Sequence, residues 1–139
     1  WQDHNATPVL LPRPSAAGDV WVRDMNDAGV IVGYLYGSRT TAVKWTPTGS
    51  GYAVSFLPDL GVKSAAYAIA QDGTVSGSVN RTVNATRPAL WSPSAQLIML
   101  GLNRTSDTGE ALSVAMTPTG IVAGGSLTSL GSTLWKIAP

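Results

Sequence analysis

The chain has 139 residues, 44% hydrophobic and only 12% charged, with a formal net charge of +1 and no cysteine. That length suits one domain with a real core, and the low, dispersed charge gives no electrostatic reason for a nucleic-acid or anionic-membrane partner. The missing thiols exclude disulfides and thiolate metal sites, and no apolar run reaches the roughly 18 residues of a membrane-spanning helix.

A first residue of Trp1 in place of methionine reads as a cleaved signal segment or a piece trimmed from something longer. Low charge density with abundant Ser, Thr, Gly and Ala leans toward a secreted protein, so the expected location is extracellular or at the cell surface. Residues 1–18 contain the apolar run Pro8-Val9-Leu10-Leu11-Pro12 and read as one N-terminal strand with a connector. Residues 19–62 carry four β-prone runs, at 20–25, 30–35, 41–46 around Trp45, and 52–57. The pattern restarts over 63–109, with runs at 65–70, 74–79, 88–92 around Trp91, and 97–100. A third pass over 110–139 has only three, at 111–116, 121–127 and 132–137 around Trp135. No window has helical apolar spacing.

Between the first two runs of each pass the same motif recurs. It is Asn26-Asp27-Ala28-Gly29-Val30-Ile31-Val32-Gly33, then Ala70-Gln71-Asp72-Gly73-Thr74-Val75-Ser76-Gly77, then Thr117-Pro118-Thr119-Gly120-Ile121-Val122-Ala123-Gly124. Gly29, Gly73 and Gly120 suit turn positions with positive φ, at offsets of 44 and 47 residues. The second glycine of each motif marks a bulge or a close backbone approach. Trp1, Trp45, Trp91 and Trp135 are spaced 44, 46 and 44 apart and would fill the space between neighbouring sheets.

A period of 44–47 built from strands is how a propeller-type array looks in sequence. The expected fold is all-β, one repeat domain of three four-stranded propeller-like blades, the last lacking its final strand. Val9, Leu10 and Leu11 are the spare strand, from this chain or another. Three blades fall below the four to eight usual in closed propellers. That leaves a dimeric six-bladed ring, an open head-to-tail array, or a piece of a longer array.

The repeated blocks resemble the HAF repeat, found in predicted bacterial extracellular proteins. The matching residues are Met25-Asn26 with Gly29 and Gly33, Ala42-Val43-Lys44-Trp45, and Leu57-Pro58-Asp59-Leu60-Gly61. The second copy matches at Ala68-Ile69 with Gly73 and Gly77, Ala89-Leu90-Trp91, and Met99-Leu100-Gly101-Leu102; the third at Ala115-Met116 with Gly120 and Gly124, then Thr133-Leu134-Trp135. The Asn before the turn stands only at Asn26, with Ala70 and Thr117 in the later copies. The resemblance implies a propeller-like architecture and an extracellular location, and no particular activity.

No residue pattern points to catalysis, and no cofactor or metal is expected. His4 is the lone histidine, and the acidic residues form no evident pair or ligand set. Asp27 and Asp72 sit beside turn glycines, where Asp bonds its own backbone. Asn5, Asn80, Asn84 and Asn103 each begin an N-x-[ST] acceptor for glycosylation, although Asn and Thr are also common turn residues. Trp21, Tyr34, Tyr36, Tyr52 and Tyr67 lie outside the repeated Trp set and read as core packing or as sugar-stacking platforms. The expected function is a non-enzymatic structural or surface protein partnered by copies of itself; the alternative is a propeller lectin that binds glycans.

Overall fold

The computed structural model describes residues 8–14 and 18–138. Among these residues the regular structure is entirely β, with eleven strands in three antiparallel sheets. The first sheet runs β1 (Asp19–Met25), β2 (Ile31–Tyr36), β3 (Thr41–Thr48), β4 (Gly51–Phe56). The second runs β5 (Ser64–Ile69), β6 (Val75–Asn80), β7 (Thr86–Trp91), β8 (Leu97–Met99). The third runs β9 (Gly109–Thr117), β10 (Gly120–Leu127), β11 (Gly131–Ile137). Each of the eleven strands expected from residue 19 onward is present, with its ends displaced by at most two residues. Short turns between β-prone runs make each sheet a meander of sequential neighbours.

The sheets stack in series and are not closed into a barrel: β5 lies against β1, β2 and β3, and β9 against β5, β6 and β7. The middle sheet is therefore covered on both faces. All six residues of β6 are buried, and only small or β-branched side chains with one asparagine fit there, Val75-Ser76-Gly77-Ser78-Val79-Asn80. Two apolar cores fill the interfaces. Trp91, Val75, Val79 and Ala89 meet Val32, Ala42 and Leu57 between the first and second sheets. Leu90, Ile98 and Leu100 meet Ala111, Ala123 and Trp135 between the second and third.

Gly29, Gly73 and Gly120 all have positive φ, at 74°, 92° and 132°. A Cβ at Gly73 would find Pro93 no nearer than 3.6 Å, so the backbone conformation alone disfavours a side chain there. Gly73→Val is accordingly expected to lower stability by about 1–3 kcal/mol in urea unfolding; an unchanged midpoint would contradict this turn geometry. Asn26 has a second role. Its buried side chain accepts from Val30 N–H at 3.0 Å and donates to the Ala70 carbonyl at 3.2 Å, fastening one turn to its counterpart in the next sheet.

Each first strand bulges against its partner, skipping Arg23, Tyr67 and Leu112 in turn. Beneath each bulge lies a glycine whose missing Cβ lets a carbonyl approach: Gly33 under Trp21, Gly77 under Ala65, and Gly125 under Glu110. In the third copy the close approach therefore falls at Gly125, where the sequence motif points to Gly124. The cause is a longer β9–β10 hairpin. The pairs Met25–Ile31 and Val114–Ala123 are equivalent, but five residues separate the first pair and eight the second. The extra three extend the ladder to Thr117–Gly120 and, added to the 45 residues from the Tyr67 bulge to the Leu112 bulge, set the carbonyl-facing glycine 48 residues after Gly77, at Gly125.

Residues 8–13 form no strand, and the third sheet has three strands among the described residues. The expectation that the N-terminal run completes the last sheet is thus not met within one chain. Its docking at the opposite end of the stack keeps it away: Leu11 packs beside Ile31, Leu35, Val43 and Trp45 of the first sheet.

Candidate functional site

Three of the repeated tryptophans make the same contact. Trp45 Nε1 donates to the Pro12 carbonyl at 2.8 Å, Trp91 Nε1 to Pro58 at 2.7 Å, and Trp135 Nε1 to Gly101 at 2.8 Å. A leucine precedes each acceptor: Leu11, Leu57 and Leu100. The last two end fourth strands, because Leu57 N–H donates to Ala42 O at 2.9 Å and Leu100 N–H to Pro88 O at 3.0 Å. Val9 and Leu10 thus stand where Ser55-Phe56 and Ile98-Met99 stand, yet no strand pairs with them among the described residues. They are 75% and 91% exposed. An apolar groove of about 470 Å³ opens between Val9, Leu10, Leu11 and the β1 residues Val20, Trp21 and Val22.

At the other end of the stack β11 is an edge strand. Its backbone groups on that side have no ladder partner among the described residues, and such an edge readily takes another strand. Leu134 on β11 is 58% exposed, whereas Leu90, at the same position of β7, is fully buried. The fold therefore carries a strand-shaped segment at one end and a strand-accepting edge at the other.

The five aromatic candidates divide, and Tyr52 packs into the apolar cluster around Trp45. Tyr34 and Tyr67 meet edge to face, with ring centroids 6.5 Å apart and planes at 81°, and the Arg23 guanidinium lies 5.8 Å from the Tyr67 ring centre. Trp21 lines the apolar groove instead, and Tyr36 is exposed at the end of β2. Beside Tyr67 is a polar recess of about 250 Å³ lined by Thr40, Lys63, Ser78, Asn80 and Glu110. Tyr67 Oη donates to Glu110 Oε1 at 2.7 Å and lies 3.4 Å from Ser78 Oγ. Sequence reading missed Glu110 as a partner of Tyr67; the only trace is their separation of 43 residues, close to one repeat.

Burial pushes the Tyr67 phenol up to about 12; the Ser78 hydroxyl opposes that rise and the Glu110 carboxylate adds to it. The folded chain then holds this proton more tightly than the unfolded one, whose phenol titrates near 10. The associated stability is whole below pH ~10 and is lost as pH rises toward ~12. Tyr67→Phe is expected to flatten that alkaline decline in thermal melts; an unaltered alkaline limb would contradict the linkage.

Asp107 is equally committed to structure. Its carboxylate accepts from the Arg104 N–H at 2.8 Å, Ser129 Oγ at 2.7 Å and Thr128 Oγ1 at 3.2 Å. Desolvation works against its charge, but these bonds hold its pKa below the ordinary carboxylate value. Among the described residues no three His, Cys, Asp or Glu side chains gather as metal ligands. Asn84 and Asn103 are exposed. Asn80 is buried, with its amide nitrogen 3.3 Å from the carbonyls of both Thr82 and Val83, so a glycan there would require that turn to open. Asn5 and Trp1 lie outside the described residues.

The chain matches no family model, no curated protein and no solved structure.

Proposed function

We propose that the chain is a secreted, non-enzymatic repeat protein of propeller-like blades that associates with copies of itself as an extracellular structural or surface element. Strand donation by Val9, Leu10 and Leu11 would join the copies. One observation carries the reading: a segment in fourth-strand position at one end, and an edge without a fourth strand at the other. The likeness to the HAF repeat supports the propeller-like architecture and the extracellular location. The scarcity of charged side chains, several of them occupied in structural bonds, favours a structural role over catalysis.

Native mass in solution tests it. A discrete species near two chains is expected for a closed six-bladed ring, and a ladder of masses or fibres for an open array. A single-chain mass across the accessible concentration range would refute self-association.

A carbohydrate-binding role is the second reading, favoured by the Tyr34–Tyr67 pair beside a polar recess. The recess is smaller than the roughly 300–1,000 Å³ of ordinary ligand pockets, so it suits a single ring. Glycan-array binding that Tyr67→Ala abolishes, with folding intact, would support it, and silence across sugars would remove it.

A further inference from the structure

Self-association leaves open which residues meet, and the internal repeats supply a register. In the first sheet Val43 lies opposite Phe56, Lys44 opposite Ser55 and Trp45 opposite Val54. In the second, Ala89 lies opposite Met99, Leu90 opposite Ile98 and Trp91 opposite Leu97. Thr133, Leu134 and Trp135 hold the corresponding places on β11. The docking of Leu11-Pro12 on Trp45 aligns Pro8, Val9 and Leu10 with the three residues before Leu57 and before Leu100.

Resting on the self-association reading, we propose that β11 of one copy takes residues 8–11 of a second copy as its antiparallel fourth strand, with Thr133 opposite Leu10, Leu134 opposite Val9 and Trp135 opposite Pro8. The Leu11 N–H then donates to the Ser132 carbonyl, as Leu57 does to Ala42 and Leu100 to Pro88. This register puts Pro8 at a position whose backbone faces away from β11, where the missing N–H costs no ladder bond.

The cores argue for the same occupant. Between the second and third sheets, Leu90, Ile98 and Leu100 on one side meet Ala111, Val114 and Trp135 on the other. The cluster around Trp45 has Val20, Ile31, Leu35 and Val43 from its own sheet, and only Leu11 in the place of Leu100. It is half of such a core. The pair Leu134–Val9 would supply the counterparts of Leu90–Ile98, covering two side chains now 58% and 75% exposed. A second copy of this chain thus brings both missing parts at once: the strand for β11, and the sheet that covers Leu134.

Disulfide trapping tests the register, since the chain has no cysteine of its own. Leu10 and Thr133 would be a non-hydrogen-bonded pair, with Cα atoms roughly 4.5 Å apart, within the span a disulfide bridges. Leu10→Cys and Thr133→Cys chains carrying tags of different mass are mixed and oxidised, alongside a mixture of Leu10→Cys and Leu134→Cys. The expected result is a mixed-chain disulfide in the first mixture, in large excess over the second. Oligomers by native mass with no Leu10–Thr133 bridge, or with the bridge at Leu134, would overturn the register while leaving self-association standing. Single-chain masses throughout would overturn both. An intrachain bridge in the Leu10→Cys/Thr133→Cys double variant would show the chain's own end in the place assigned to a second copy, and would also overturn the proposal.

Discussion

Trp91→Ala is expected to lower the stability of the chain by about 3–5 kcal/mol, read as a shifted urea midpoint. The indole is fully buried, between Val32, Ala42 and Leu57 of one sheet and Val75, Val79 and Ala89 of its own. Because the middle sheet is covered on both faces, its neighbours cannot collapse into the space that alanine would leave. Trp91→Phe separates ring burial from hydrogen bonding: it keeps most of the apolar contact and loses only the bond to Pro58 O, for about 1–2 kcal/mol. Trp135 makes the same bond but is only partly buried, so Trp135→Ala should cost less than Trp91→Ala. Equal losses at the two sites would mean that the open edge beside β11 is already covered in solution.

Gly77→Ala, the addition of one methyl group, is expected to cost at least about 3 kcal/mol or to prevent folding. A Cβ at Gly77 would overlap the Ala65 carbonyl oxygen and lie 2.8 Å from the Trp91 ring. Neither can retreat: the carbonyl belongs to the β5 bulge, and the ring is held by its own hydrogen bond. Gly49→Ala is the control, since nothing lies within 4 Å of a Cβ there; it should be close to neutral. A mild effect at Gly77 would show that β5 and β6 can part at the bulge, contrary to the close packing described.

The strands were legible because period-2 runs between Gly, Pro and Asp turns are a local property, and local sequence determines them well. Offsets that depend on neighbouring sheets were not. Gly124 and Gly125 are adjacent, so the motif fits either, and only the ladder of β9 against β10 shows which one lies under a carbonyl. Leu134 and Leu90 look alike in sequence, and their exposures part only because one has a sheet over it. The phase of the repeats marks Val9–Leu11 as a fourth strand lacking its sheet, but the docking on Trp45 is a tertiary contact with no local trace. Asn80 satisfies an acceptor motif by composition alone, while its position at the end of a fully covered strand decides its burial.

The indoles of Trp45, Trp91 and Trp135 reach back 33 or 34 residues to their carbonyls. The loop to be closed therefore has nearly the same length for every sheet, and closure entropy depends only weakly on length, so no sheet meets a harder search than the one before. Every acceptor also precedes its tryptophan in the chain. During synthesis from the N-terminus, each ring finds its partner already made and waits for nothing downstream. Contacts stay about one repeat long however many repeats are joined, which keeps contact order from rising with size. Lengthening such a chain by a repeat would extend its folding time without steepening any single step.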